Sequence, residues 1–302
     1  MSPGLATVAF VVGAAVSLGI SWLLVSRLEM LGERLGLSEA LLGVLAALAA
    51  DAPEITASIT AVSHHQRSVG AGVVLGSNVF NLAALLGLGA VVAGRIGLHR
   101  KVVLLGGAVA MWVAAVCLGA VGGLIGDSVA LGLVLVVLVP YLALLGGQKS
   151  EFRRLPLPRS WLTWLASAVA EEELELVVAI RPKRGTPKDA LVAAAALIVV
   201  VGASAAMERG ASRLGAHYGV PDTVVGGLVL AAVTSLPNAV AAVYLAGKGR
   251  GAAALSTALS SNTLNVVAGL LAPGFVVGLA RPSSQGLLIA GWYVGLTALT
   301  LA

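Results

Sequence analysis

The sequence predicts an all-α membrane protein of about nine transmembrane helices, built as two inverted-topology repeats. Three observations carry that reading: an apolar composition, long stretches free of charge, and a polar motif recurring at one constant offset. Of 302 residues, 58% are hydrophobic and 11% charged, and mean hydropathy is +0.98. A soluble domain carries about 25% charged residues, so water would leave this chain short of solvating charge, whereas lipid needs none. Gly at 38 and aromatics at 4% fit closely packed helices, where small residues let backbones approach. A porin-type barrel needs short segments of alternating polarity with aromatic girdles, and the sequence has neither. A single cysteine, Cys117, excludes an intramolecular disulfide, and no Cys/His spacing matches a zinc site.

Residues 1–26, 68–94, 102–126, 128–148, 190–207, 223–247, 251–280 and 282–302 contain no Asp, Glu, Lys or Arg. Each meets or approaches the roughly 20 apolar residues that cross a bilayer. A ninth stretch, 40–66, is as apolar except for Asp51 and Glu54 near its middle. The first stretch lacks a basic n-region and is too long for a signal peptide, so it is read as a helix.

Basic residues set the expected orientation. With the N-terminus outside, the short inner connections hold Arg27, Arg34, Arg95, Arg100, Lys101, Lys248 and Arg250. A central segment adds eight more, so that 15 of the 19 Lys and Arg face the cytoplasm. Only Arg67, Arg209, Arg213 and Arg281 fall outside. The bias places the N-terminus outside a cell (plasma) membrane. It also accounts for the net charge of +5 without nucleic acid, since anionic inner-leaflet lipid attracts such residues.

The expected organisation is therefore a first transmembrane repeat at 1–148, a cytoplasmic central loop at 149–189 and a second repeat at 190–302. The central loop carries Trp161 and Trp164, then an acidic run at Glu171, Glu172, Glu173 and Glu175. It reads as an interfacial helix followed by a solvated linker, because the ordered ligand spacing of a cation sensor is absent.

The repeat is explicit in the polar residues. Ala50-Asp-Ala-Pro-Glu54 is similar to Thr234-Ser-Leu-Pro-Asn238, and Gly76-Ser-Asn-Val-Phe-Asn81 to Ser260-Ser-Asn-Thr-Leu-Asn265. Pro53/Pro237, Ser77/Ser261, Asn78/Asn262 and Asn81/Asn265 all share an offset of 184. With nine crossings the two copies run in opposite directions, the arrangement of several secondary transporters that hold substrate between their repeats.

All four polar clusters fall near the middle of their apolar stretches, hence near the midplane. An Asp at that depth costs roughly 2.5–3.5 kcal/mol on the insertion scale, so two carboxylates need compensation. Ser and Asn supply some, and a bound cation would supply more. Helix–helix glue explains Ser77 or Asn262 alone, but not Asp51 and Glu54 three residues apart on one face. Each proline also frees a carbonyl four residues earlier, Ala49 before Pro53 and Val233 before Pro237. Carboxylate, amide, hydroxyl and carbonyl oxygens suit Na⁺ or Ca²⁺ better than zinc or copper.

These residues resemble the cation/calcium exchanger superfamily, of which the sodium/calcium exchangers are best known. The resemblance covers both repeats, about 40–92 and 224–276. It implies alternating access, with ions held where the helices of the two repeats cross, and no cofactor. By that resemblance, Glu54 matches the acidic ligand of the first repeat. Ser77 and Asn81 match ligands of its next helix, and Ser261 and Asn265 match those of the second copy. Thr234 and Ser235 match the hydroxyl pair before the second proline, and the carbonyls of Ala47 and Ala231 face the ions. The chain departs from the family at Asn238, where an acid is usual, and at Ala50-Asp51, where Thr-Ser is usual. One repeat has lost a carboxylate and the other has gained one, so Asp51 and Asn238 join the candidate set. A third departure is the family's tenth helix, which has no counterpart after the ninth stretch.

The implied function is a cation antiporter exchanging Ca²⁺ for Na⁺, with a proton-coupled Ca²⁺/H⁺ or Na⁺/H⁺ version as its alternative. Two carboxylates so close repel each other, so protons compete with cations in any version. An intramembrane hydrolase using Asp51 and Glu54 as acid and base is a remote alternative. His64 and His65 stand away from the carboxylates in depth and read as loop residues.

Overall fold

The computed structural model describes residues 1–35, 39–84, 87, 91, 100–146, 158, 160, 162–165, 167–168, 185–240 and 251–301. Most of the expected central loop, with Trp161 and the acidic run, lies outside them, as do Arg95, Lys248 and Arg250. The described elements are helices, with no strand among the described residues.

In chain order they are α1 (Pro3–Leu35), α2 (Glu39–Ala50), α3 (Ala52–Ser63), α4 (Arg67–Ala84), α5 (Arg100–Val121) and α6 (Asp127–Gly146). After the central segment come α7 (Pro187–Tyr218) and α8 (Asp222–Thr234), the latter π-helical over Val225–Leu230. α9 (251–277) runs through Gly251–Leu264, π-helical Asn265–Leu271 and Ala272–Val277, and α10 is Ser284–Leu299.

Five described helices are long and apolar enough to cross a membrane, and the bent pair α2–α3 makes six. The other three stretches read as spans hold shorter or less apolar helices. α4 carries Ser77, Asn78 and Asn81 within its 18 residues, α8 stops at Thr234, and α10 has 16 residues. The stretch 40–66, read as one helix, is in fact two, with a 53° bend between them at Asp51.

Local chemistry sets the ends. α7 starts at a Thr186-Pro187 cap, where the Asp189 carboxylate accepts from the Thr186 N–H at 2.6 Å. The same carboxylate pairs with Arg27 of α1 at 2.7 Å. α7 ends at Gly219 in the left-handed conformation, φ 66°. α10 starts where the Ser283 hydroxyl accepts from the Gly286 N–H at 3.0 Å.

α1 and α7 lie along each other on a seam of small residues. A Cβ on Gly13 would stand 2.7 Å from the Ala203 carbonyl, and one on Gly210 2.6 Å from that of Ala6. Ser17 and Ser204 hydrogen-bond within this seam at 2.6 Å. Close backbone approach, not apolar burial, is what holds helices together in lipid. The same device joins α4 to α8: side chains on Gly76 or Gly226 would run into the backbones of Gly227 and Val69. α4 also packs on α3, α9 and α10, which makes it the element around which the polar residues gather. Val8, Val12 and Trp22 of α1, Leu191 and Ile198 of α7 and Val136 of α6 are exposed and suit contact with lipid.

Candidate cation site

Two helical breaks define the site. At Asp51 the chain has φ −82°, ψ −4°; at Ser235, 184 residues on, it has φ −81°, ψ −4°. The flanking hydrogen bonds also repeat. Asp51 N–H donates to the Ala47 carbonyl at 2.9 Å, and Ser235 N–H to that of Ala231 at 3.0 Å. Beyond the breaks, Ile55 N–H donates to Asp51 and Ala239 N–H to Ser235, both at 3.0 Å. A near-zero ψ followed by a proline two residues later turns the axis and keeps most of the ladder.

One sequence expectation is corrected here. Pro237 does not leave the Val233 carbonyl open, because the turn at Ser235 returns a backbone N–H to it. The Ala47 and Ala231 carbonyls each accept one backbone N–H, and Ala231 also faces the Thr234 hydroxyl at 3.4 Å. A carbonyl oxygen has a second lone pair, so that of Ala47 keeps one site for a further partner, whereas that of Ala231 is turned to the Thr234 hydroxyl.

The side chains converge from both breaks and from α4 and α9. Asp51 and Glu54 are wholly buried, at 0% exposure, although both are acids. Asn238, just past the second break and half-buried, lies across them. Its amide N–H₂ donates to Asp51 Oδ1 at 2.8 Å, and lies 3.4 Å from Glu54 Oε1 and 3.3 Å from Ser261 Oγ. The Ser261 hydroxyl donates to Asp51 Oδ1 at 2.6 Å. Asn81 reaches Ser261 at 3.5 Å, Ser77 pairs with Thr234 at 3.4 Å, and Asn265 lies against Glu54. The structure thus brings together Asp51, Glu54, Asn81, Asn238, Ser261 and Asn265, and pairs Ser77 with Thr234 next to the break at Ser235.

Two residues that the sequence marks only as repeat partners, outside the candidate set, belong to the same network. Asn78 donates to the Asn262 carbonyl at 3.1 Å, and Asn262 to the Asn78 carbonyl at 3.0 Å. Their common offset was the signal, since a bond and its counterpart are related by the same 184 residues. His64 and His65, by contrast, sit in the turn after α3, with His64 Nδ1 2.8 Å from the Thr60 carbonyl.

The chemistry of the cluster is one-sided. Asp51 Oδ2, Glu54 Oε2, Asn81 Oδ1, Asn265 Oδ1 and Ser235 Oγ are buried and meet no hydrogen-bond partner among the described residues. Buried polar atoms are normally paired, and leaving one unpaired costs about 1–3 kcal/mol. Four such oxygens on linked side chains, with a fifth on Ser235 at the second break, are what a hard cation satisfies. Among the described residues no group of three His, Cys, Asp or Glu stands together, which sets this apart from a zinc-type site.

The sequence profile of the sodium/calcium exchanger proteins matches residues 5–149 and 188–302. The chain belongs to that family. Among curated relatives of this exchanger-family chain, CaxA of Alkalimonas amylolytica, named as an antiporter, is 35% identical over 89 residues. The sodium/potassium/calcium exchanger 1 of Gallus gallus is 33% identical over 86 residues. Those matches span 28% and 13% of the relatives' own lengths. The sodium/calcium exchanger of Methanococcus jannaschii has the same fold at 20% identity, TM-score 0.58, over 99% of this chain and 89% of that one. A sodium-calcium exchanger structure soaked with Na⁺ and Sr²⁺, NCX_Mj, aligns at 19% identity, TM-score 0.58, over 99% and 90%. At such identity the likeness establishes the fold, and the chemistry is argued from this chain's own residues.

Proposed function

We propose that this exchanger-family protein is a secondary active cation antiporter that exchanges Ca²⁺ for Na⁺ by alternating access. The observation that carries the reading is the set of five buried oxygens without a donor, on Asp51, Glu54, Asn81, Ser235 and Asn265. Ser77, Thr234, Asn238 and Ser261 complete the binding set, with the carbonyls of Ala47 and Ala231. Ca²⁺ takes six to eight such oxygens, and two carboxylates balance its charge.

The matched breaks at Asp51 and Ser235 support two repeats of inverted topology, nine crossings and a site at the midplane between α2–α3, α4, α8 and α9. In this reading the N-terminus is outside the cell membrane and the segment 149–189 is cytoplasmic. The organic substrates and the acid–base role of a hydrolase have no place in it, and the transported ions are the only ligands required.

One observation favours a second coupling. The carboxyl groups of Asp51 and Glu54 face each other, so a proton shared between them is an alternative to a cation. A Ca²⁺/H⁺ or Na⁺/H⁺ cycle would use that exchange. Isotope flux into proteoliposomes separates the readings. An imposed Na⁺ gradient should drive ⁴⁵Ca²⁺ uptake, whereas uptake driven by a pH gradient alone would assign the proton-coupled cycle. Uptake that responds to neither gradient removes antiport.

A further inference from the structure

We infer that Asn78 and Asn262 are positioning residues that fix which end of the Asn265 and Asn81 amides faces the cation. The inference rests on the cation-site reading above and goes beyond it. An amide has two chemically opposite ends, and only Oδ1 can bind a cation; a turned amide would present N–H instead.

The argument starts from groups that cannot be turned. A backbone carbonyl only accepts, so the end of Asn78 that meets the Asn262 carbonyl, at 3.1 Å, is its N–H₂. The same holds for Asn262 against the Asn78 carbonyl, at 3.0 Å. Each Oδ1 is therefore left pointing away from the pair. Asn262 Oδ1 accepts from the Asn81 N–H₂ at 3.1 Å, and Asn78 Oδ1 from the Asn265 N–H₂ at 3.4 Å.

The nitrogen ends of Asn81 and Asn265 are thus held. The remaining ends, Asn81 Oδ1 and Asn265 Oδ1, are the ones buried without a partner. Turning either amide over would set oxygen against the Oδ1 of Asn262 or Asn78 and withdraw the free oxygen; the Asn81 N–H₂ is held a second time by Ser261 Oγ at 3.5 Å. Two relays with one offset of 184 repeat this logic, each from a fixed carbonyl through one amide to one ligand oxygen. Simple glue accounts for the reciprocal Asn78–Asn262 bonds. It gives no reason why both ligand amides should be gripped by their nitrogen ends.

The test is Ca²⁺ titration calorimetry on the purified full chain. Asn262→Leu keeps the size but neither donates nor accepts, so the Asn81 amide is free to turn. Asn81→Asp presents an oxygen in either orientation and makes turning irrelevant. Asn262→Leu should weaken Ca²⁺ affinity about tenfold in the Asn81 chain. In the Asn81→Asp chain the same substitution should cost less than about threefold. Equal losses in the two backgrounds, or no loss in the first, overturn the positioning role. Asn78→Leu measured with and without Asn265→Asp is the matching arm, and it carries the test if Asn262→Leu does not fold. A wild-type chain that binds neither Ca²⁺ nor Na⁺ would remove the cation site itself, a different failure from wild-type binding that Asn262→Leu leaves unchanged.

Discussion

The two helical breaks have the same backbone and opposite chemistry. Asp51 and Ser235 share dihedrals to within a degree, and their flanking hydrogen bonds match to about 0.1 Å. Yet the first break supplies both acids, Asp51 and Glu54, and the second supplies Ser235 and Asn238 at the same positions. Backbone geometry is shared between the two breaks, while carboxylates stand at only one of them. The lesson is that a repeat can be symmetric as a scaffold and asymmetric as an electrostatic site. Asn238 is where the two meet, because its amide donates to Asp51 and faces Glu54.

The largest effect should come from the charged side. Glu54→Gln keeps size and some hydrogen bonding, so the protein should fold while ⁴⁵Ca²⁺ flux falls by roughly 100-fold or more. Flux at the wild-type rate would take Glu54 out of the site.

The amides sharpen the symmetric half of the comparison. Asn81→Ala and Asn265→Ala occupy matching places, so each should raise the half-saturation concentration by about tenfold, and by similar factors. Strongly unequal effects in the flux assay would mean that charge asymmetry extends to the neutral ligands.

On the uncharged side a weaker response is expected. Ser235→Ala removes one neutral oxygen and should raise half-saturation about threefold with the maximal rate kept. Below that, Cys117→Ala and His64→Ala should change half-saturation by less than about twofold, because Cys117 lies in the apolar core and His64 in the turn after α3. A larger shift from either would place a functional group away from the breaks.

Much of this was legible in the sequence, for physical reasons. Charge-free stretches report segments that need no solvating water, and helical residues fall within every one of them. A proline and Ser-Asn-x-x-Asn at one offset are rare enough in so apolar a chain to mark the repeat, and the polar residues they named do cluster. The break at Asp51 was not legible, because hydropathy records what a segment contacts and not whether its axis bends. The π-helical turns at Val225–Leu230 and Asn265–Leu271 escaped for the same reason. Val233 was misjudged because a turn can supply a donor that a straight helix lacks. Asn78 and Asn262 stay outside the candidate set in the sequence because the direction of an amide depends on what it faces, and that is visible only once their backbone carbonyls are seen opposite each other.

The central claim is that Asp51 supplies the charge missing at position 238. Asn238 Nδ2 lies 2.8 Å from Asp51 Oδ1 and 3.4 Å from Glu54 Oε1, so a carboxylate introduced there would reach the same ion. The measurement is Na⁺-driven ⁴⁵Ca²⁺ uptake by Asp51→Ser and by Asp51→Ser combined with Asn238→Glu. The single variant should lose most of its transport, because a divalent ion then meets one negative charge in a poorly solvated site. The double variant, with one acid on each repeat, should recover part of it. A double variant that folds and transports no better than Asp51→Ser alone would contradict the claim.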